Sequence, residues 1–184
     1  NDNILYLPYW LLTYEEMISI MLDRSDNNAP NQAMMFSNAV IQGKRSFLKS
    51  IGRYDMVDNI TLDSPIPYNI DDILKFLHDK DTEIVKGANN RDKHGTYFGK
   101  LTRFIQRLEG KKADKRLNFM FNNDPSLLDY NYMKELCEKM MSPSSDKNAG
   151  VKIIDFSEVP SDILPLIVSL LARLIFSVQQ WTDA

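Results

Sequence analysis

Cysteine is nearly absent. Cys137 stands alone in 184 residues, so no intrachain disulfide can form, and a reducing cytoplasm is the expected home. Glycine is scarce, seven in the whole chain, about half the usual ~7% share. Glycine-rich phosphate loops are therefore disfavoured before any motif is sought. Histidine is limited to His78 and His94, which stand far from each other and from Cys137 with no paired spacing, so no zinc or other metal site is expected. G-x-S-x-G and H-E-x-x-H do not occur. The longest apolar run, residues 163–178, holds Arg173 and falls short of the ~20 residues a membrane span needs; it predicts a buried core helix. Asn1 stands where an initiator methionine would, which suggests a processed protein or an excised piece.

What is present is a soluble, globular mix: 43% hydrophobic and 26% charged residues, net charge −3. That is enough apolar material for a real core. Residues 3–10 look extended. Thr13 to Glu16 reads as a capping box, followed by one apolar helical face of Tyr14, Met17, Ile18, Met21 and Leu22. A longer helix is predicted over 30–51, with Pro30 in its first turn, a stripe of Ala33, Phe36, Val40, Phe47 and Ile51, and Gly52 as its stop. Residues 63–67 are a loop, 70–78 a short helix, and the polar stretch 80–95 a mobile loop. An amphipathic helix over 96–109 buries Tyr97, Leu101, Phe104, Ile105 and Leu108.

The alternation of Leu117, Phe119 and Phe121 predicts an extended segment over 116–121, and a further helix carries Met133, Leu136, Cys137, Met140 and Met141. Residues 142–150 are turn formers and read as a linker. The β-branched run 151–156 predicts a buried strand. Ser161 then caps a final helix reaching about Trp181, apolar nearly all round and so buried on most sides. A strand and helix without a second strand is half of a βαβ unit, as if the chain ended mid-domain.

Two stretches approach nucleotide-site motifs. Residues 95–101 are the nearest approach to a phosphate loop, but are one residue short, with Leu101 where a hydroxyl belongs. Residues 151–155 resemble an apolar strand ending in a metal-positioning acid, with Phe156 where a catalytic Glu would follow. Neither pattern is complete. Charge is more distinctive: ten basic residues and three acids between Lys86 and Arg116 net +7 and leave −10 for the rest. Lys100, Arg103 and Arg107 share one helical face, and Lys111, Lys112, Lys115 and Arg116 continue from its end. These seven are the candidate contacts for DNA or an acidic partner; the plainer alternative is a solvated face balancing an acidic remainder.

Three stretches resemble HerA-type ATPases, hexameric DNA translocases of the FtsK/HerA branch of P-loop proteins. They are LPYWLLTYEEM (7–17), KLTRFIQRLEGKKADKRLNFMF (100–121) and VKIIDFSEVPSDILPLIVSLLARLIF (151–176). Trp10, Arg107 with Leu108, the Arg116, Phe119 and Phe121 run, and Asp155 with Pro160 carry the likeness. The resemblance implies a mainly α chain. Residues 1–142 would be a helical bundle insertion, 143–150 a linker, and 151–184 a strand and buried helix from a RecA-like α/β core. It implies that the Walker A loop lies upstream and the Walker B acid pair downstream, so this stretch carries no catalytic, cofactor or metal residues of its own. ATP and Mg²⁺ are implied for the parent, a DNA translocase or helicase. The implied partners are other subunits of a hexameric ring, DNA, and a partner nuclease, with no membrane. The other reading is a self-contained α-helical protein-interaction domain with no ATPase parent.

Overall fold

Thr13 caps the start of the first helix, α1 (Tyr14–Met21), with a complete capping box. The Glu16 amide donates to Thr13 Oγ1 at 3.2 Å, and the Thr13 amide donates to Glu16 Oε2 at 2.8 Å. In the computed structural model, which describes residues 4–87, 90–122, 124–141 and 151–182, this helix opens a mainly α architecture. Ahead of it the expected extended stretch is only partly so. Tyr9–Leu11 form a turn of 3₁₀ helix, all buried.

Helix α2 (Ala29–Ser50) carries Pro30 in its first turn, as expected. Gly52 takes φ +76°, and the Arg53 amide reaches Leu48 O at 2.9 Å, which ends the helix. The buried stripe runs through Met35, Phe36, Ala39, Val40, Lys44 and Leu48. The predicted stripe drifts off it: Phe47 is half-buried and Ile51 exposed. Lys44 occupies a core position because its ammonium donates to Leu62 O at 2.5 Å and Ser64 O at 2.7 Å. It thereby holds a loop whose Asp63 Oδ1 accepts from the Tyr14 amide at the start of α1, at 2.8 Å.

Helix α3 (Ile70–Asp81) extends three residues past the predicted end. Its start is set by Asn69, which accepts from the Asp71 amide at 2.8 Å, and by Tyr9, whose hydroxyl donates to Tyr68 O at 2.5 Å and accepts from the Ile70 amide at 3.0 Å. The stretch predicted as a mobile loop instead contains an antiparallel hairpin, β1 (Ile84–Lys86) with β2 (Asp92–His94), registered Ile84 to His94, Val85 to Lys93 and Lys86 to Asp92. Its strands are three residues long and exposed throughout, so no alternation of burial marked them in sequence.

Helix α4 (Thr102–Ala113) starts later than predicted and buries Phe104, Ile105 and Leu108 as expected. The expected extended segment over 116–121 is a 3₁₀ turn (Lys115–Leu117) and a short helix, α5 (Asn118–Phe121). The buried residues are Leu117, Met120 and Phe121, a helical spacing that the alternation with Phe119 had masked. Helix α6 (Tyr132–Met141) buries Leu136, and the Tyr132 hydroxyl donates to Tyr6 O at 2.8 Å. The predicted linker, 142–150, lies outside the described residues.

The strand predicted over 151–156 does not form. Val151 and Ile153 are 80% and 89% exposed, and the segment has no place in the one sheet among the described residues, the β1–β2 hairpin. A β-branched run becomes a strand only where another strand offers its backbone. The last helix, α7 (Leu164–Thr182), carries Pro165 in its first turn. It is buried along one side only, by Ile163, Ile167, Leu170, Leu171 and Leu174, while Val168 and Phe176 face solvent. The expected all-round burial is therefore replaced by docking on the helical region, whose core it shares with Trp10, Phe36, Leu77, Phe104 and Leu136. Arg173 fastens it: its guanidinium donates to Leu11 O at 3.0 Å and to Glu16 Oε2 at 2.9 Å. No described helix is long and apolar enough to cross a membrane.

Candidate functional site

The turn over 95–101 is the place to ask whether this chain can hold a phosphate. A phosphate loop works because several backbone amides point, unpaired, into one concavity. Here the amides are spent inside the protein. Gly95 donates to Glu83 O at 2.8 Å, Gly99 to Asp81 O at 2.9 Å, and Lys100 to Tyr97 O at 3.0 Å. The Leu101 amide donates to Asp81 Oδ1 at 2.7 Å, and the Thr102 hydroxyl to Asp81 Oδ2 at 2.6 Å. The buried Asp81 carboxylate thus sits at the start of α4, where an anion favours the helix dipole. Gly99, at φ +68°, makes the turn that brings these amides onto Asp81. This loop does not fit a nucleotide phosphate, because a carboxylate of the same chain already fills the position. Asp155 fares no better as a metal-positioning acid: it accepts from the Ser157 amide at 2.9 Å, and that amide and the Ser157 hydroxyl hold its carboxyl below the usual range. Among the described residues no three His, Cys, Asp or Glu side chains gather as metal ligands would.

The seven basic candidates are distributed differently from the even face the helical spacing suggests. Arg107 donates to Asp23 Oδ2 at 2.7 Å, and Arg103 lies 3.8 Å from Asp26 Oδ2. Hydrogen bonds from Ser25 and then Arg107 hold the Asp23 carboxyl low; the Asn28 amide, with Gln32 and the two arginines, does the same for Asp26. Lys111 reaches Asp162, just ahead of α7, at 3.5 Å, and Lys112 pairs with Asp71 of α3. Arg116 folds back on Asp114 at 2.7 Å. Five of the seven therefore face acids of this chain, contributed by the α1–α2 loop, by α3, by the approach to α7 and by the residues after α4.

Lys100 and Lys115 have no acidic partner among the described residues. Lys100 lines a polar cleft of about 370 Å³ with Ser25, Asp26, Asn28, Gln32 and Arg103. Gln32, buried at its floor, donates to Lys100 O at 3.2 Å and ties the start of α2 to the turn before α4. Exposed ion pairs of this kind each contribute ~0–1 kcal/mol. Their larger effect is to neutralise α4 locally.

Sequence reasoning passed over Arg91 and Lys93 as members of a basic run. The structure sets both on the exposed hairpin with no acidic partner among the described residues. It also passed over Asp81, which fell in the stretch predicted as a mobile loop; only its pairing with the Leu101 amide and the Thr102 hydroxyl gives it a role. No curated protein matches the chain. The family described as "Helicase HerA, central domain" matches residues 1–175, the length over which the helical region and α7 share their core, and the chain belongs to that family.

Proposed function

We propose that the chain is a non-catalytic helical module of a HerA-like DNA-translocating ATPase, serving ring assembly, DNA contact or docking of a partner such as a nuclease. The observation that carries this reading is the filled turn at 95–101: the amides that a phosphate would need are held by Asp81 and Glu83. In this reading residues 1–142 are the helical insertion, 151–184 belong to a RecA-like core, and other segments of a cytoplasmic parent supply the groups for ATP and Mg²⁺. Catalysis of phosphoryl transfer consists mostly of positioning and charge stabilisation by such groups. The exposed apolar residues Val151, Ile153, Val168 and Phe176 support it, since the parent's core would cover them.

The ion pairs of Arg103, Arg107, Lys111 and Lys112 favour a structural role for α4 over direct DNA contact. The family membership weighs against a self-contained interaction domain whose likeness is accidental. The test is turnover. Purified chain with Mg²⁺ and ATP should release no phosphate above background; magnesium-dependent hydrolysis abolished by Lys100→Ala would overturn the reading.

A further inference from the structure

Positive charge that the chain leaves uncompensated does not lie where basic residues are densest. Along α4 the cations face Asp26, Asp23, Asp162 and Asp71. A paired cation is a poor phosphate ligand, because recruiting it breaks an existing pair and brings the phosphate against the acid left behind. Ten residues upstream the situation reverses. Arg91, Lys93 and Lys100 follow one another along the hairpin and the turn after it, and none has an acidic partner among the described residues. Both hairpin strands are exposed along their whole length, although they carry Ile84 and Val85. The exposed His94 and Phe98 rings stack at 3.8 Å and 8° in the same stretch of chain.

We infer that the β1–β2 hairpin and the turn that follows it, through Arg91, Lys93 and Lys100, make the nucleic-acid backbone contact of this module in place of the α4 face. The inference rests on the DNA-contact reading proposed above and assigns that contact to residues. A two-stranded ribbon is slim enough to enter a major groove. Three uncompensated cations neutralise phosphates without reading sequence. The stacked ring pair offers a flat face of the kind bases stack on, for which an acidic protein surface has no use.

Fluorescence anisotropy of the whole chain with labelled duplex and single-stranded oligonucleotides tests this, with polyglutamate as the acidic-protein probe. The wild type should bind weakly at low salt, with a log–log salt slope of about −2 to −3 for three phosphates. The variant Arg91→Gln/Lys93→Gln/Lys100→Gln should lose at least about tenfold in affinity and nearly all of the slope. The double variant Arg91→Gln/Lys93→Gln, confined to exposed side chains, should lose about two thirds of the slope with unchanged circular dichroism. The variant Arg103→Gln/Lys111→Gln should bind as the wild type does. If the α4 variant loses binding and the hairpin variants do not, the hairpin assignment is overturned while the DNA reading stands. If the wild type binds polyglutamate and neither oligonucleotide, the DNA reading fails and takes the assignment with it.

Discussion

Replacing Lys44 by Met should remove a pH dependence that the wild type carries. Lys44 is 1% exposed, and its ammonium hydrogen-bonds only to neutral carbonyl oxygens, those of Leu62 and Ser64. Burial therefore lowers its pKa from 10.5 to about 8, with Asp63 opposing the shift. At roughly 1.4 kcal/mol per pH unit, a drop of this size corresponds to about 3 kcal/mol. The sign follows from proton counts. Between the folded and unfolded pKa values the unfolded chain binds the extra proton, so stability rises with pH. Relative to Lys44→Met, the wild type should gain about 2 kcal/mol between about pH 7.5 and about pH 9.5. The variant also leaves two carbonyls without their donor, a cost of ~1–3 kcal/mol that does not vary with pH. The difference between the two pH profiles isolates the amine, because tyrosine ionisation is common to both proteins. Urea unfolding followed by circular dichroism across the range supplies the profiles. Parallel curves would refute the reasoning, since they would mean that the amine keeps its proton as readily inside as in water.

Asp81→Ala should cost about 1–3 kcal/mol, because the Leu101 amide and Thr102 hydroxyl lose a buried acceptor at the start of α4; denaturant midpoints measure it, and a neutral result would show that water replaces the carboxylate. Leu170→Ala should cost ~2–5 kcal/mol, since its side chain is fully buried where α7 meets the helical region. Thermal unfolding checks this, and a loss under about 1 kcal/mol would mean that α7 is not docked as described. Burial raises the Tyr9 and Tyr68 pKa values above the ordinary 10, so the unfolded chain ionises first and stability should fall as pH rises past about 10. Tyr9→Phe should flatten that alkaline limb; an unchanged limb would assign it to other groups.

The helices α1, α2, α3, α4 and α6 were legible in the sequence because each declares itself locally. Thr13 with Glu16, Pro30, Gly52 and the four- and seven-residue spacing of apolar side chains act within a few residues of chain, and burial follows from them. The family was legible too, carried by the motifs within 7–17, 100–121 and 151–176. Partnership was not legible. Whether residues 151–156 pair as a strand depends on a second backbone, and a β-branched run reads the same with or without one. The one-sided burial of α7 depends on what surface it meets, which its own apolar residues do not specify. The candidate site turned on the same distinction. The density of positive charge between Lys86 and Arg116 is a property of the chain, but Coulomb interactions at these ranges are set by distances across the fold. Only tertiary structure brings Asp23, Asp26, Asp71 and Asp162 against α4, carries Asp81 to the start of that helix, and leaves Arg91 and Lys93 facing water and Lys100 half-buried without an acidic partner among the described residues.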